Sequence, residues 1–250
     1  MASLPPLFRL AGPCASSASL LLAGCSVPAA PPECGDADFA CFRGSFRTLV
    51  SEPVEGMELC APELELDCVT TDAEGAWQLP GLPKDSDVFL TAEHPDYVAT
   101  LFPQNTSMDW YAWHKVAVPP FVLETHAERM GEVLDPDRAQ LLFLVWEGLN
   151  IDGVDTERIE GVLGDLLAPD GDVFYADAIG LASASATATT SSGSGGALNV
   201  EPGEGALRLE APGGPCVDQS FSWAFEPGDP VPVPLRAGFA TAIDVLCPLP

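Results

Sequence analysis

The sequence predicts an all-β fold: two tandem β-sandwiches joined by a short helix, preceded by a signal peptide and a flexible tether. Three observations predict it. The 250-residue chain is 47% hydrophobic, enough to bury real cores. Its 23 glycines and 25 prolines are about a fifth of all residues, below the roughly 25–30% of low-complexity chains and suited to many turns between short strands. From Phe39 onward, short apolar runs alternate with turn residues.

The elements follow in chain order. Residues 1–24 carry one positive charge, Arg9, and end in the small and apolar run "SLLLAG". Pro13 and the serines interrupt the segment, and it is too short for a membrane span, so it reads as a secretory signal. Leu22-Ala23-Gly24-Cys25 resembles the lipobox of bacterial lipoproteins. That resemblance implies cleavage before Cys25 and acylation of its thiol. Each buried CH₂ of the lipid contributes about 0.8 kcal/mol, and two or more chains hold a protein stably at a membrane. Ser26, where an Asp marks inner-membrane retention in enterobacterial lipoproteins, leans the resemblance towards the outer membrane. Residues 25–38, with "VPAAPPE", form a tether stiffened by proline.

Of eight cysteines, Cys14 leaves with the signal and Cys25 takes the lipid. The remaining six, Cys34, Cys41, Cys60, Cys68, Cys216 and Cys247, are an even set in an exported chain and predict disulfides. Fifteen pairings are possible for six cysteines. Proximity favours Cys34–Cys41, Cys60–Cys68 and Cys216–Cys247. No pair has C-x-x-C spacing, so neither a metal site nor a redox site is expected.

The first sandwich is expected over 39–124. "GSFRTLV", "GMELCA" and "ELDCVTT" are strand candidates, with Pro53 and Pro62 in the breaks. "DAEG" (72–75) reads as a hairpin turn in which Gly75 takes a positive φ. Trp77 and Leu79 share one strand face, and "PGLP" (80–83) is expected to reverse the chain before "VFLTA". Thr71, Asp72, Gly75, Trp77, Leu79, Gly81, Leu82 and Pro83, with "VFLTA" and Tyr97-Val98, resemble the carboxypeptidase regulatory-like domains, small transthyretin-like β-sandwiches. That resemblance implies no catalytic function, and no H-x-x-E zinc motif occurs.

"TSMDWYAWHKVAV" concentrates aromatic residues. On a regular strand Trp110, His114 and Val116 share one face, and Tyr111, Trp113 and Lys115 the other. Trp110, Tyr111 and Trp113 are therefore candidates for an aromatic platform that stacks sugar rings, against the plainer reading that they close the sandwich. A helical linker is expected over 125–138, with Thr125 and Glu128 as a capping box and Asp135-Pro136 as its end.

The second, divergent sandwich is expected over 139–250. "AQLLFLVWE" reads as a buried strand. "TSSGSGGALNVEPGEGALRLEA" reads as a looser copy of the strand–turn–strand unit, with Gly193–Gly196 in a longer, floppier turn. "SFSWAF" and "ATAIDVLC" are closing strands.

Charge and motifs bound the chemistry. A formal charge of −27 repels phosphate backbones, which excludes nucleic acid as a partner. With two lysines, Lys84 and Lys115, the chain has no basic patch for anionic headgroups. His94, His114 and His126 are scattered, and no G-x-S-x-G elbow occurs. The C-terminal Tyr-Arg-Gly-Ser of transthyretin-like hydrolases is missing. Asn150, Asp152 and Asp155, and Asp170 with Asp172, do not fit an EF-hand loop and read as solvated turns. The expectation is a non-enzymatic envelope lipoprotein without cofactor or metal, a structural or interaction module whose partners are a membrane and an envelope protein. The alternative is a carbohydrate-binding lipoprotein that uses Trp110, Tyr111 and Trp113 on a glycan.

Overall fold

A computed structural model describes residues 34, 38–107, 110–146, 157–169, 171–216 and 229–247, with backbone alone at 110–113, 168 and 215. The signal segment, Cys25, the tether apart from Cys34 and Asp38, and "SFSWAF" lie outside the described residues.

The first half forms β1 (Phe39–Arg47), β2 (Glu58–Cys60), β3 (Val69–Thr70), β4 (Ala76–Pro83), β5 (Asp87–Glu93), β6 (Thr100–Asn105) and β7 (Trp110–Val116). β4, β1 and β7 make a three-stranded sheet, with β1 antiparallel to β4 and parallel to β7. It packs on β2, β5 and β6. Phe42, Phe46, Trp77 and Leu79 meet Leu59, Leu90 and Phe102 in one core. Alternation along β4 places Trp77 and Leu79 inside, as the sequence predicts.

The turn at 72–75 has the predicted chemistry and a different job. Gly75 stands at φ +73, and Asp72 Oδ1 accepts the N–H groups of Glu74 and Ala76. A Cβ on Gly75 would lie 2.5 Å from the Phe46 carbonyl oxygen, so glycine is required. The strands it joins belong to different sheets, so the turn carries the chain across the core instead of closing a hairpin.

The "PGLP" segment is corrected. It lies inside β4, where Leu82 pairs with Ala40 and Leu79 with Phe42, leaving one residue too many on β4. Pro80 has no N–H to lose from the ladder, and Gly81 takes φ +85, so a bulge forms. The reversal comes afterwards, around Asp85 at φ 52.

The helix is also corrected. α1 spans Pro120–Met130, not 125–138. β7 ends at Val116, Pro119 stands extended as the N-cap, and Pro120 occupies the first turn, where its missing N–H costs nothing. Thr125 is mid-helix, and its hydroxyl donates to the Phe121 carbonyl instead of capping. Gly131, left-handed at φ 77, ends the helix before Asp135-Pro136 is reached.

The second half forms β8 (Ala139–Trp146), β9 (Leu163–Ala168), β10 (Val173–Ala176), β11 (Ala182–Ser183), β12 (Ser194–Val200), β13 (Gly203–Ala211), β14 (Gly214–Pro215), β15 (Val231–Leu235) and β16 (Ala240–Leu246). β9, β13, β14 and β15 make a four-stranded sheet. Leu166, Leu207 and Val233 from it meet Leu141, Phe143, Ile243 and Val245 in a second core. β12 and β13 repeat the step seen at β3 and β4, consecutive in sequence and assigned to facing sheets. Gly195 and Gly196 are not a floppy turn. They lie in β12, where a Cβ on Gly196 would sit 2.2 Å from the Leu141 carbonyl oxygen and one on Gly195 2.5 Å from the Phe143 ring.

The two cores share one sheet. Its nine strands run β11-β10-β12-β8-β16-β6-β5-β2-β3. The join is β16, parallel to β8 on one side and to β6 on the other, through Ala240–Thr100 and Thr241–Leu101. Alternation decides which core each residue enters. Ile243 and Val245 face the second core while Ala242, between neighbours of opposite sense, packs on the first. The covering sheets therefore lie on opposite faces of the shared one. α1 covers the same face as the three-stranded sheet, through Ala127 against Phe174 and Leu198.

Candidate functional site

The disulfides are Cys34–Cys41, Cys60–Cys68 and Cys216–Cys247, the local pairings favoured by proximity. Cys216–Cys247 ties the four-stranded sheet to the residue after β16 across the second core, with both cysteines buried. Cys60–Cys68 bridges β2 to the residue before β3 near the surface.

β7 is one of the two outer strands of the three-stranded sheet. Its register against β1 slips by one residue between Trp110 and Trp113. Among its described side chains, His114 and Val116 are exposed and Lys115 points inward. The side chains of Trp110, Tyr111 and Trp113 lie outside the described residues. His114 Nδ1 hydrogen-bonds Ser45 Oγ on β1 at 2.8 Å, a cross-strand link.

Lys115 reaches from β7 across the first core to Asp244 of β16, and the two form an ion pair. Their side chains are 14% and 13% exposed, so the pair is largely removed from water. The other carboxylate oxygen accepts the Trp146 indole N–H at 2.9 Å. The Arg158 guanidinium lies 3.2 Å from the centre of the Trp146 ring, and the Lys115 ammonium 5.6 Å from that of Phe102. Burial pushes the Asp244 carboxyl up, but Lys115, the Trp146 N–H and Arg158 outweigh it and hold it below the usual carboxylate range. Burial lowers Arg158 to about 10, with Asp244 opposing the shift.

This polar junction was not legible as a site. Its members come from β7, β8, β16 and the segment before β9, and the Lys115–Asp244 pair spans 129 residues. One signal was present: Asp244 interrupts the apolar run "ATAIDVL", and a charge on a buried strand needs a partner. Chemically the cluster is a clamp. It joins the sheet that covers the first core to the strand that both cores share.

Gln104 of β6 lies on the Phe102 side of its strand. It is fully buried, and neither amide atom has a hydrogen-bond partner. Each unmade bond leaves a desolvation penalty in place. Gln104→Leu keeps the volume and removes the penalty, so it should raise stability by about 1–3 kcal/mol in denaturant unfolding.

The remaining candidates do not converge. His94 accepts the Asp96 N–H in a turn. His126 is buried under α1, its Nδ1 accepting the Ala182 N–H at 2.9 Å and its ring against Phe174. Arg129 ties the same helix to Asp177. Burial chiefly, and then Arg129, lower the His126 pKa, with Asp177 opposing. The neutral ring is the folded form. Its contribution is therefore complete above the ordinary imidazole value of about 6.5 and is lost as pH falls from there through the lower folded value. A melting-temperature series from pH 8 to pH 5 should show this loss, and His126→Gln should flatten it. Asn150, Asp152, Asp155 and Asp170 lie outside the described residues, leaving Asp172 alone of the calcium candidates.

No family model matches the chain, and no curated protein does. Solved structures similar to it include GBS52, the minor pilin of Streptococcus agalactiae, at 15% identity and a TM-score of 0.26, with 84% of this chain and 98% of that one covered. The Bacillus anthracis TIE protein is similar at 10% identity and a TM-score of 0.26, over 84% of this chain. This chain spans 34% of the TIE protein's length. The shaft pilin SpaA of Lactobacillus rhamnosus GG follows at 9% identity and a TM-score of 0.22, with 85% and 99% covered. Likenesses this distant assign no activity. The β-sandwich architecture stands on the strands and cores themselves. Among the described residues, no helix is long and apolar enough to cross a membrane.

Proposed function

We propose that this chain is a lipid-anchored envelope protein whose two fused sandwiches act as a structural or protein-interaction module, not as an enzyme. The observation that carries the reading is the "LAGC" segment ending at Cys25 in a chain whose other mature cysteines are all in disulfides. Lipid at Cys25 holds the chain at a membrane, residues 25–38 space it from the surface, and the bridges suit it to an oxidising compartment. The shared sheet and the Lys115–Asp244 pair join the two halves into one continuous surface for a partner. An acidic surface favours a partner with basic groups over nucleic acid.

Intact mass of the protein extracted from membranes tests the reading. The expected mass begins at Cys25, carries acyl groups, and shows six thiols only after reduction. Cys25→Ala should release the protein from the membrane fraction. A wild-type chain that retains Cys14 and carries no lipid sinks the anchor. Crosslinking in membranes followed by mass spectrometry then identifies the partner, and turnover of a peptide, ester or glycan abolished by one Asp or His substitution overturns the non-enzymatic assignment.

A further inference from the structure

We infer that the Cys60–Cys68 disulfide masks a divalent-metal site formed by Glu58, Cys60 and Cys68, which opens when that one bridge is reduced. The one carboxylate and two sulfur ligand atoms lie within 4.8 Å of one another. The placement follows from the ladder. β2 and β3 are antiparallel with Leu59 opposite Val69 and Glu58 opposite Thr70. Continuing that register puts Cys60 opposite Cys68, with Cα atoms 4.4 Å apart. Glu58 lies two residues before Cys60, on the same face of β2, and Glu58 Oε1 is 3.8 Å from Cys60 Sγ. Two thiolates and a carboxylate are a zinc donor set, with water left for the fourth tetrahedral position. Zinc–sulfur bonds of about 2.3 Å hold two tetrahedral thiolates roughly 3.8 Å apart. Opposed strand positions span that gap without moving the backbone far.

Three features favour this bridge over the other two. Cys68 is exposed and Cys60 half-buried, whereas Cys34–Cys41 pairs a half-buried with a buried sulfur and Cys216 and Cys247 are both buried, so this bridge presents the most accessible sulfur to an external dithiol. β3 is an outer strand of the nine-stranded sheet, so the bridge lies at a sheet edge, away from the second core. The connecting loop carries Glu63, Glu65 and Asp67, exposed carboxylates that attract a cation. The chemistry balances. A dithiol reductant gives two electrons and two protons to the Cys60–Cys68 bond and becomes a disulfide itself. The metal then displaces the two thiol protons to solvent.

The test uses the mature chain with Cys25→Ser, treated with limiting dithiol under nitrogen. Alkylation and peptide mapping should find Cys60 and Cys68 free while the other four cysteines stay bridged. Cobalt(II) should then bind at one equivalent with thiolate-to-metal charge-transfer absorption, and zinc should displace it and protect both thiols from alkylation. The oxidised protein should give no such absorption. Glu58→Gln should weaken zinc binding by at least about tenfold. The inference is overturned if the reduced protein shows no charge-transfer absorption. It is overturned equally if Cys60→Ser/Cys68→Ser binds cobalt with the same spectrum, or if another bridge opens first.

Discussion

Replacing Asp244 by alanine should lower the unfolding free energy by about 3–5 kcal/mol, the usual loss when one partner of a buried ion pair is removed. The deletion removes the Asp244 carboxylate from the largely buried Lys115 ammonium and strips the Trp146 N–H of its acceptor. In a chain of this size that is a fall in Tm of roughly 6–20 °C. The companion variant separates the pair's net worth from the damage of breaking it. Lys115→Met with Asp244→Leu removes both charges and keeps apolar volume, so it should recover most of the loss. A single variant that costs under about 1 kcal/mol, or a double variant no better than the single, would show that the junction is not a clamp. Denaturant unfolding followed by tryptophan fluorescence reads both, since Trp146 reports on the junction directly.

Removing the Cys216–Cys247 bridge, as Cys216→Ala with Cys247→Ala, should cost about 3–4 kcal/mol. The bridge closes a separation of 31 residues, and the chain-entropy gain rises with the logarithm of that length. Cys60–Cys68, at a separation of 8, should contribute about 2.5 kcal/mol by the same account. The ranking is the informative result. Equal losses from the two double variants would mean that native packing at the sulfurs outweighs loop closure. The Cys216–Cys247 variant also tests the shared sheet, because the bridge ties the four-stranded sheet to the end of β16.

The element types were readable because they depend on neighbours in sequence. Trp77 and Leu79 alternate inward as the period of two requires, and Ala139–Trp146 became β8, with no exposed residue. Disulfide pairing was readable for the same reason, since each partner lies close along the chain. The errors were also local, and each came from competing backbone signals. Pro80 and Gly81 suggest a turn, yet they also suit a bulge, and pairing with β1 chose the bulge. Thr125 and Glu128 have capping-box spacing, but Pro119 and Pro120 had already started the helix. Gly195 and Gly196 resemble a loose loop until Leu141 and Phe143 are seen pressing on them.

By itself the sequence determined the β class, the export signal over residues 1–24 as an expectation, the three local bridges and the acidic charge that disfavours nucleic acid. These rest on short-range spacing, composition and net charge, all of which survive without coordinates. Only the tertiary structure decided that β16 and β6 pair, that the two cores share one sheet with its covers on opposite faces, and that Lys115 meets Asp244. Pairing between strands more than a hundred residues apart leaves no local spacing to read. A buried charge announces that it needs a partner, but packing selects which one.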